Sequence, residues 1–368
     1  MRVLHVAEVT HGGVITLVDT YSRHQAAAGH DVHALLRPEV DDVPAVRHDW
    51  SPVRRNPWAL LRAERRLHQV AHALRPDVIH LHSFVPGVLG RTRSLQSAAA
   101  VVYQPHSFAF EAVPPAAAGL IARTERRMSR HTDRMVTNCH DEEAEGRSRG
   151  IVLPTTVVGL PVDTAHFAPR ESEQATYQRD LGLDADFVAV CVGRLSRQKG
   201  QSLLAAAWEA DPPPGAQLVF VGPGDPAEIA EAAPRTYGAS ILCAGAQDDV
   251  RPWLWAASVA VQPSLYEGQS VAMAEALACG VPVVMTDVNG AREAVAHEHE
   301  RPAGAVVPVG DLRQVMSELT ARQRQPELVA SEAAVARERA VRLFSPETVM
   351  RRIENVYIEA LAVHRASR

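Results

Sequence analysis

The chain has 368 residues, enough for two cores, and its 46% hydrophobic and 22% charged residues are ordinary proportions for a globular protein. A net charge of -5 gives no reason to expect nucleic acid, and no apolar run is long enough to span a bilayer. The four cysteines form no Cys-x-x-Cys pair and read as buried thiols of a reducing cytoplasm, while MRVLHVAEV reads as a first strand and not a secretion signal.

Val3–Val6 is a strand, Glu8-Val9-Thr10-His11-Gly12-Gly13 a glycine-rich turn, Val14 to about Ala28 an amphipathic helix, and Val32–Leu36 a second strand. This is a βαβ unit, and two adjacent glycines let a ligand approach bare backbone N–H groups. Residues 47–75 then carry seven arginines (47, 54, 55, 62, 65, 66, 75), with Trp50 and Trp58 among them. Pro57–Leu74 has the pattern of an amphipathic helix with a basic face. A solvated surface and docking on an anionic membrane both fit, and a second cluster (Arg123, Arg126, Arg127, Arg130, Arg134) adds to the membrane reading.

Asp77–His82 is a strand that places His80 and His82 on one face. No third ligand stands at a metal-binding spacing, so pocket-lining or hydrogen-bonded histidines are expected, and no metal site. Val101–His106 is another strand, with a histidine at the carboxyl edge where parallel sheets hold ligands. A helix near Arg123–His131, a strand at Arg134–Thr137 and a helix start at Asp141-Glu142-Glu143 continue the alternation. The polar stretch 170–180 reads as a linker, which divides the chain into domains at 1–169 and 170–345.

Phe187–Val192 opens the second domain and feeds Gly193-Arg194-Leu195-Ser196-Arg197-Gln198-Lys199-Gly200. Lys199 is the one lysine beside 37 arginines. Its retention reflects chance or a phosphate-binding role, to which a flexible point charge is suited. Gly222-Pro223-Gly224-Asp225-Pro226-Ala227 fits a GxGxxA pattern, but two prolines and a late position suit a dinucleotide turn poorly. Ile241–Ala244 and Val259–Gln262 lead to the richest stretch, Pro263–Gly290. There Glu267, Gly268 and Gln269 precede Ser270 as an N-cap, a helix runs from Val271 to Cys279, and Gly280 stops it. A helix start suits a phosphate. Glu267 before that start and Glu275 inside the helix can bracket a sugar and a ribose by accepting hydroxyl hydrogen bonds. The plainer reading is an N-terminal charge and a solvent-facing helix glutamate.

The two glutamates eight positions apart, followed by Cys-Gly-Val-Pro-Val-Val, resemble the retaining glycosyltransferases of the GT4 group. The resemblance implies an α/β fold of GT-B type: two Rossmann-like, doubly wound domains facing a central cleft, with a C-terminal helix (about 346–364) crossing back to the first. It implies that Glu275 holds the nucleotide ribose and that Glu267 contacts the donor sugar. Gly268, Gln269, Ser270 and Val271 would complete the donor site. Gly12 and Gly13 would lie under the diphosphate, and His106 would reach the sugar near the reacting carbon. Arg194 and Lys199 would neutralise the leaving diphosphate, so no metal and no cofactor beyond the nucleotide-sugar donor is expected. Gln269 stands where many members carry Phe or Leu. The run His82-Ser83 to Gly87-Val88-Leu89-Gly90-Arg91 resembles transferases of cell-surface polysaccharide synthesis, implying a sugar or lipid-linked sugar acceptor. A cytoplasmic protein, peripheral at the inner membrane face, is expected. A natural-product transferase, a nucleotide-sugar 2-epimerase and a silent nucleotide-sugar-binding subunit share these features. A pyridoxal phosphate phosphorylase is disfavoured, because the one lysine sits in the phosphate loop.

Overall fold

The computed structural model describes residues 1–10, 12–40, 43–52 and 56–366. His11, Arg54 and Arg55 therefore lie outside the described residues. The chain forms two compact units, Met1–Pro161 with Pro346–Arg368, and Val162–Ser345.

In the first unit the strands are β1 (Arg2–Val6), β2 (Asp31–Leu36), β3 (Val46–Asp49), β4 (Val78–His82), β5 (Ala100–Gln104), β6 (Arg134–Thr137) and β7 (Thr155–Val157). They pair in parallel in the order β3-β2-β1-β4-β5-β6-β7. Every residue of β4 and β5 is buried, as expected of a parallel sheet covered on both faces. The order reverses between β1 and β4, which makes the carboxyl ends of those strands a topological switch point. The last helix, Pro346–Ala366, packs on β4, β5, β6 and the helix Gly13–Ala27, so the chain's end belongs to this unit.

The second unit contains β8 (Phe187–Val192), β9 (Ala216–Val221), β10 (Ile241–Gly245), β11 (Val259–Gln262), β12 (Val283–Thr286) and β13 (Gly304–Val307). Their parallel order is β10-β9-β8-β11-β12-β13, with the switch between β8 and β11.

Two expectations change. The units part between Pro161 and Val162, not at 169/170. The Val162 N–H donates to Phe344 O at 2.8 Å, Trp255 Nε1 donates to Ala168 O at 2.8 Å, and Val162 and Phe167 pack into the second core. The polar 170–180 stretch is also not a free linker. It holds the helix Gln174–Asp180, whose Gln174 and Gln178 side chains donate to the Ala256 and Ala257 carbonyls.

The Gly-x-x-Gly-Arg run has a packing role. A Cβ on Gly87 would lie 2.5 Å from the Tyr103 ring, and one on Gly90 would lie 2.5 Å from Leu81, so both glycines let the helix Phe84–Gly90 lie flat on the sheet. Arg91 turns inward and pairs with Glu125 at 2.6 Å; both side chains are buried, and Tyr103 donates to the same carboxylate at 3.0 Å. Trp50 leaves the basic surface too, buried with its Nε1 donating to Ala63 O at 2.9 Å. Trp58 stays 73% exposed on the helix Pro57–Leu74, beside exposed Arg62 and Arg65. Removing one member of a buried ion pair strands the other charge. Arg91→Ala is therefore expected to cost about 3–5 kcal/mol in denaturant unfolding, with much of the loss recovered in Arg91→Met/Glu125→Leu. A single variant as stable as the parent would refute a charged buried pair.

Candidate functional site

At the switch point of the second unit the loops after β8 and β11 are bound to each other. Gly200, at φ 69°, faces the Pro263 carbonyl so closely that a Cβ would collide with it. The Leu265 N–H donates to Gln198 O at 2.8 Å, and Gln198 Nε2 donates to Tyr266 O at 3.0 Å. Gln201 closes the first loop from inside: it is buried, and its amide donates to Arg194 O at 3.0 Å. The Gly222-Pro223-Gly224 turn buttresses the same loop, with the Leu195 N–H donating to Pro223 O at 2.8 Å.

This clamp brings Lys199 Nζ to 2.5 Å from Glu267 Oε1, which also accepts from Ser264 Oγ at 2.8 Å. Ser270 caps the helix Val271–Ala278 as expected, accepting from the Met273 N–H at 3.3 Å, and its own hydroxyl donates to the buried Gln262 at 2.5 Å. Most of that helix is buried, where it packs against the helix Pro326–Phe344. Val271, Ala272 and Glu275 remain partly uncovered on one side, so Glu275 emerges near the helix start. Burial pushes its carboxyl up to about 7, against the opposing pull of the Lys199 charge. Gln269 is buried beside Gly268; its Nε2 donates to Glu293 at 3.4 Å and its Oε1 has no partner. Among the described residues nothing bonds the exposed Arg194 guanidinium.

The first unit holds the remaining predicted residues. Gly12 (φ 92°) is the N-cap of the helix that Gly13 begins, after β1. His106 follows β5 and, with Ser107, adopts positive φ (55° and 81°), a strained pair for residues with side chains. Glu142 holds this turn: its carboxylate accepts from the N–H groups of Ser107 at 2.6 Å and Asn138 at 2.7 Å. Glu142 is fully buried, and burial raises its carboxyl to about 7. Within the sequence it reads only as one acid of a helix start. It was not anticipated, nor were Gln201 and Gln262, because lone polar residues carry no periodic signal.

His106 lies in a histidine network. Its Nε2 is 3.0 Å from His82 Nδ1, His82 Nε2 is 3.0 Å from His5 Nδ1, and His5 Nε2 bonds Gln25 Oε1 at 2.8 Å. Register places His5 of β1 opposite His80 of β4, so the third histidine absent from the local pattern comes from another strand. Burial lowers His106 to about 3 and His5 to about 4, and takes His80 and His82 well below the usual range, so all four imidazoles are neutral at pH 7.

Comparison with known proteins fits this geometry. Residues 12–161 match the glycosyl transferase 4-like domain and residues 186–322 match the glycosyl transferases group 1 family. The chain is 30% identical to a D-inositol 3-phosphate glycosyltransferase of Thermobispora bispora, over 79% of this chain and 72% of that one. It is 29% identical to the Escherichia coli UDP-Gal:alpha-D-GlcNAc-diphosphoundecaprenol alpha-1,3-galactosyltransferase, over 66% of this chain and 65% of the relative. Among solved structures, Anabaena Alr3699/HepE in complex with UDP-glucose superposes with a TM-score of 0.81 at 19% identity, covering 96% of this chain and 98% of that one. Two Rossmann-like parallel-sheet units, a lysine–glutamate pair at the second switch point and these matches place the chain in the group 1 (GT4) family of glycosyltransferases, with the GT-B fold.

Proposed function

We propose that this glycosyltransferase retains anomeric configuration and moves a hexosyl group from a nucleotide-diphosphate sugar to a hydroxyl of a lipid-linked sugar, as in cell-surface polysaccharide synthesis. The observation that carries the reading is the Lys199–Glu267 pair set beside the helix start at Ser270 and Val271. A cation, a carboxylate and a helix N-terminus meet there, the chemistry needed for a diphosphate flanked by sugar hydroxyls.

In the reaction the bond from the anomeric carbon to the phosphate oxygen breaks, and negative charge grows on the diphosphate. Lys199, the unpartnered Arg194 and the helix start neutralise it. Glu267 accepts from the donor-sugar hydroxyls. The orphaned Oε1 of Gln269 is a further acceptor for one of them. Glu275 accepts from the ribose. In the first unit His106, a neutral imidazole, is suited to hydrogen-bond a sugar hydroxyl. The acceptor hydroxyl attacks from the face that the diphosphate leaves, and its proton passes to a departing phosphate oxygen. Protein cations here do the work of a divalent ion at the diphosphate.

The lipid-linked acceptor is supported by the diphosphoundecaprenol-linked acceptor of the E. coli relative and by the basic helices. The helices Pro57–Leu74 and Pro115–Met128 both adjoin the helix Phe84–Gly90, and they expose Trp58, Leu61 and Leu120 beside Arg62, Arg65, Arg123, Arg126 and Arg127. Apolar tips among arginines suit an anionic bilayer surface. Among the described residues, no helix is long and apolar enough to cross a membrane.

Lys199→Ala and Glu275→Ala are expected to lose about a hundredfold or more in turnover while keeping their fold, and the parent should turn over without added divalent ion. Near-parental kinetics in either variant would sink the site, and strict Mg²⁺ dependence would sink the cation account. Ionising the desolvated Glu275 costs the folded state stability, because its carboxyl sits near 7 against an ordinary 4.5. Glu275→Gln should therefore raise Tm at pH 8, with the gain shrinking as pH falls toward 4.5; a gain independent of pH would exclude a desolvated carboxylate. Sedimentation with phosphatidylglycerol vesicles should capture the protein at low salt, and Trp58→Ala with Arg62→Glu and Arg65→Glu should release it. Equal binding to neutral phosphatidylcholine vesicles would refute electrostatic docking.

A further inference from the structure

Among the described residues, the first unit contains a group of three side chains with one ligand atom each lying within 4.8 Å of the others: His5, His80 and His82. All three are fully buried. Each commits one ring nitrogen to an outer partner: His5 Nε2 to Gln25 Oε1 (2.8 Å), His80 Nδ1 to the Tyr357 hydroxyl (2.8 Å) and His82 Nδ1 to His106 Nε2 (3.0 Å). The nitrogens that remain are His5 Nδ1, His82 Nε2 and His80 Nε2. The first two lie 3.0 Å apart, and the third is buried without any partner.

Metal-binding histidines have this pattern. One nitrogen takes the ion, and the other is oriented by a carbonyl, hydroxyl or further ring. We propose that His5, His80 and His82 form a three-imidazole site for a divalent first-row transition ion, zinc first, oriented by Gln25, Tyr357 and His106. Three neutral nitrogen ligands are the set that imidazole-binding ions favour, and four-coordinate zinc leaves its fourth position to water. The separation of 3.0 Å between two of the nitrogens is close to the edge of a tetrahedron with metal–nitrogen bonds of about 2.0–2.1 Å. Binding would displace the proton now shared between His5 and His82. His82 would then donate through Nδ1 to His106 Nε2, and the Asn138 amide, 3.5 Å from His106 Nδ1, would have to turn to receive the proton that moves there. The ion would also join β1, β4 and, through Tyr357, the C-terminal helix. It is separate from the diphosphate chemistry, which Lys199 and Arg194 serve. The rival arrangement is a direct bond from His80 to Gln104, whose Oε1 is also buried without a partner and whose side chain acts on His80.

The test uses the full chain, purified without chelators for elemental analysis, then stripped and titrated with Co²⁺. Co-purified zinc and tetrahedral cobalt d–d bands saturating at about one equivalent are expected. His80→Gln should abolish the bands. Tyr357→Phe keeps all three ligands and should weaken affinity about ten- to a hundredfold, which tests the site even if His80→Gln fails to fold. The exposed pair His297 and His299, with rings 5.9 Å apart, is the obvious adventitious binder. His297→Ala/His299→Ala should leave the bands unchanged. No bands in the parent, or bands lost only with His297 and His299, would overturn the proposal in favour of the His80–Gln104 bond.

Discussion

Close approach of the β8 and β11 loops, permitted by Gly200 against the Pro263 carbonyl, is the constraint on which the second unit's chemistry depends. Two loops that follow neighbouring strands of a parallel sheet leave it at the same edge, yet they need not touch. Here backbone and side-chain hydrogen bonds fasten them, and the result is a lysine and a glutamate sharing one proton-rich contact beside a capped helix start. Glu267 is buried and Lys199 mostly covered, so the pair mainly offsets the cost of desolvating its own charges. In the proposed reaction its value is positional, because an incoming diphosphate and its sugar would meet a cation and a carboxylate that are already in place.

The first unit solves a different electrostatic problem. Its carboxyl edge is built from buried imidazoles that stay neutral, and its half-buried member, His106, sits on backbone that residues with side chains rarely adopt. Glu142 helps that strain persist by accepting from the Ser107 N–H of the turn and from the Asn138 N–H of the loop after β6, which ties the two loops together. A neutral histidine held in one orientation can hydrogen-bond a sugar hydroxyl without protonating it. The neighbouring rings fix that orientation, so changes deep under the sheet reach the edge through hydrogen bonds and not through charge.

Several sequence features that look like ligand motifs turn out to serve packing. Gly87 and Gly90 let a helix settle on the sheet, Arg91 neutralises Glu125 in the interior, and Gly222-Pro223-Gly224 supports the loop carrying Arg194 and Lys199 next to it. A glycine motif marks a close approach of backbone to something. Whether that something is a ligand or another strand is decided by what the fold brings there.

The local features of the candidate site were legible in the sequence. Helix periodicity, the Ser270 cap, the Gly280 stop, the two glutamates eight positions apart and the solitary Lys199 all depend on residues within a few turns of one another. Strand-helix alternation likewise announces a parallel α/β fold. What only the tertiary structure decided are the pairings across the sheet: Lys199 with Glu267, His5 with His80 and His82, Glu142 with the turn at Ser107, and the anchoring of Val162–Ala168 to the second unit. In a parallel sheet, strands that touch are separated in sequence by whole helices. Their contacts follow from strand order and register, which are set by burial over the entire unit and leave no trace in any short window of residues.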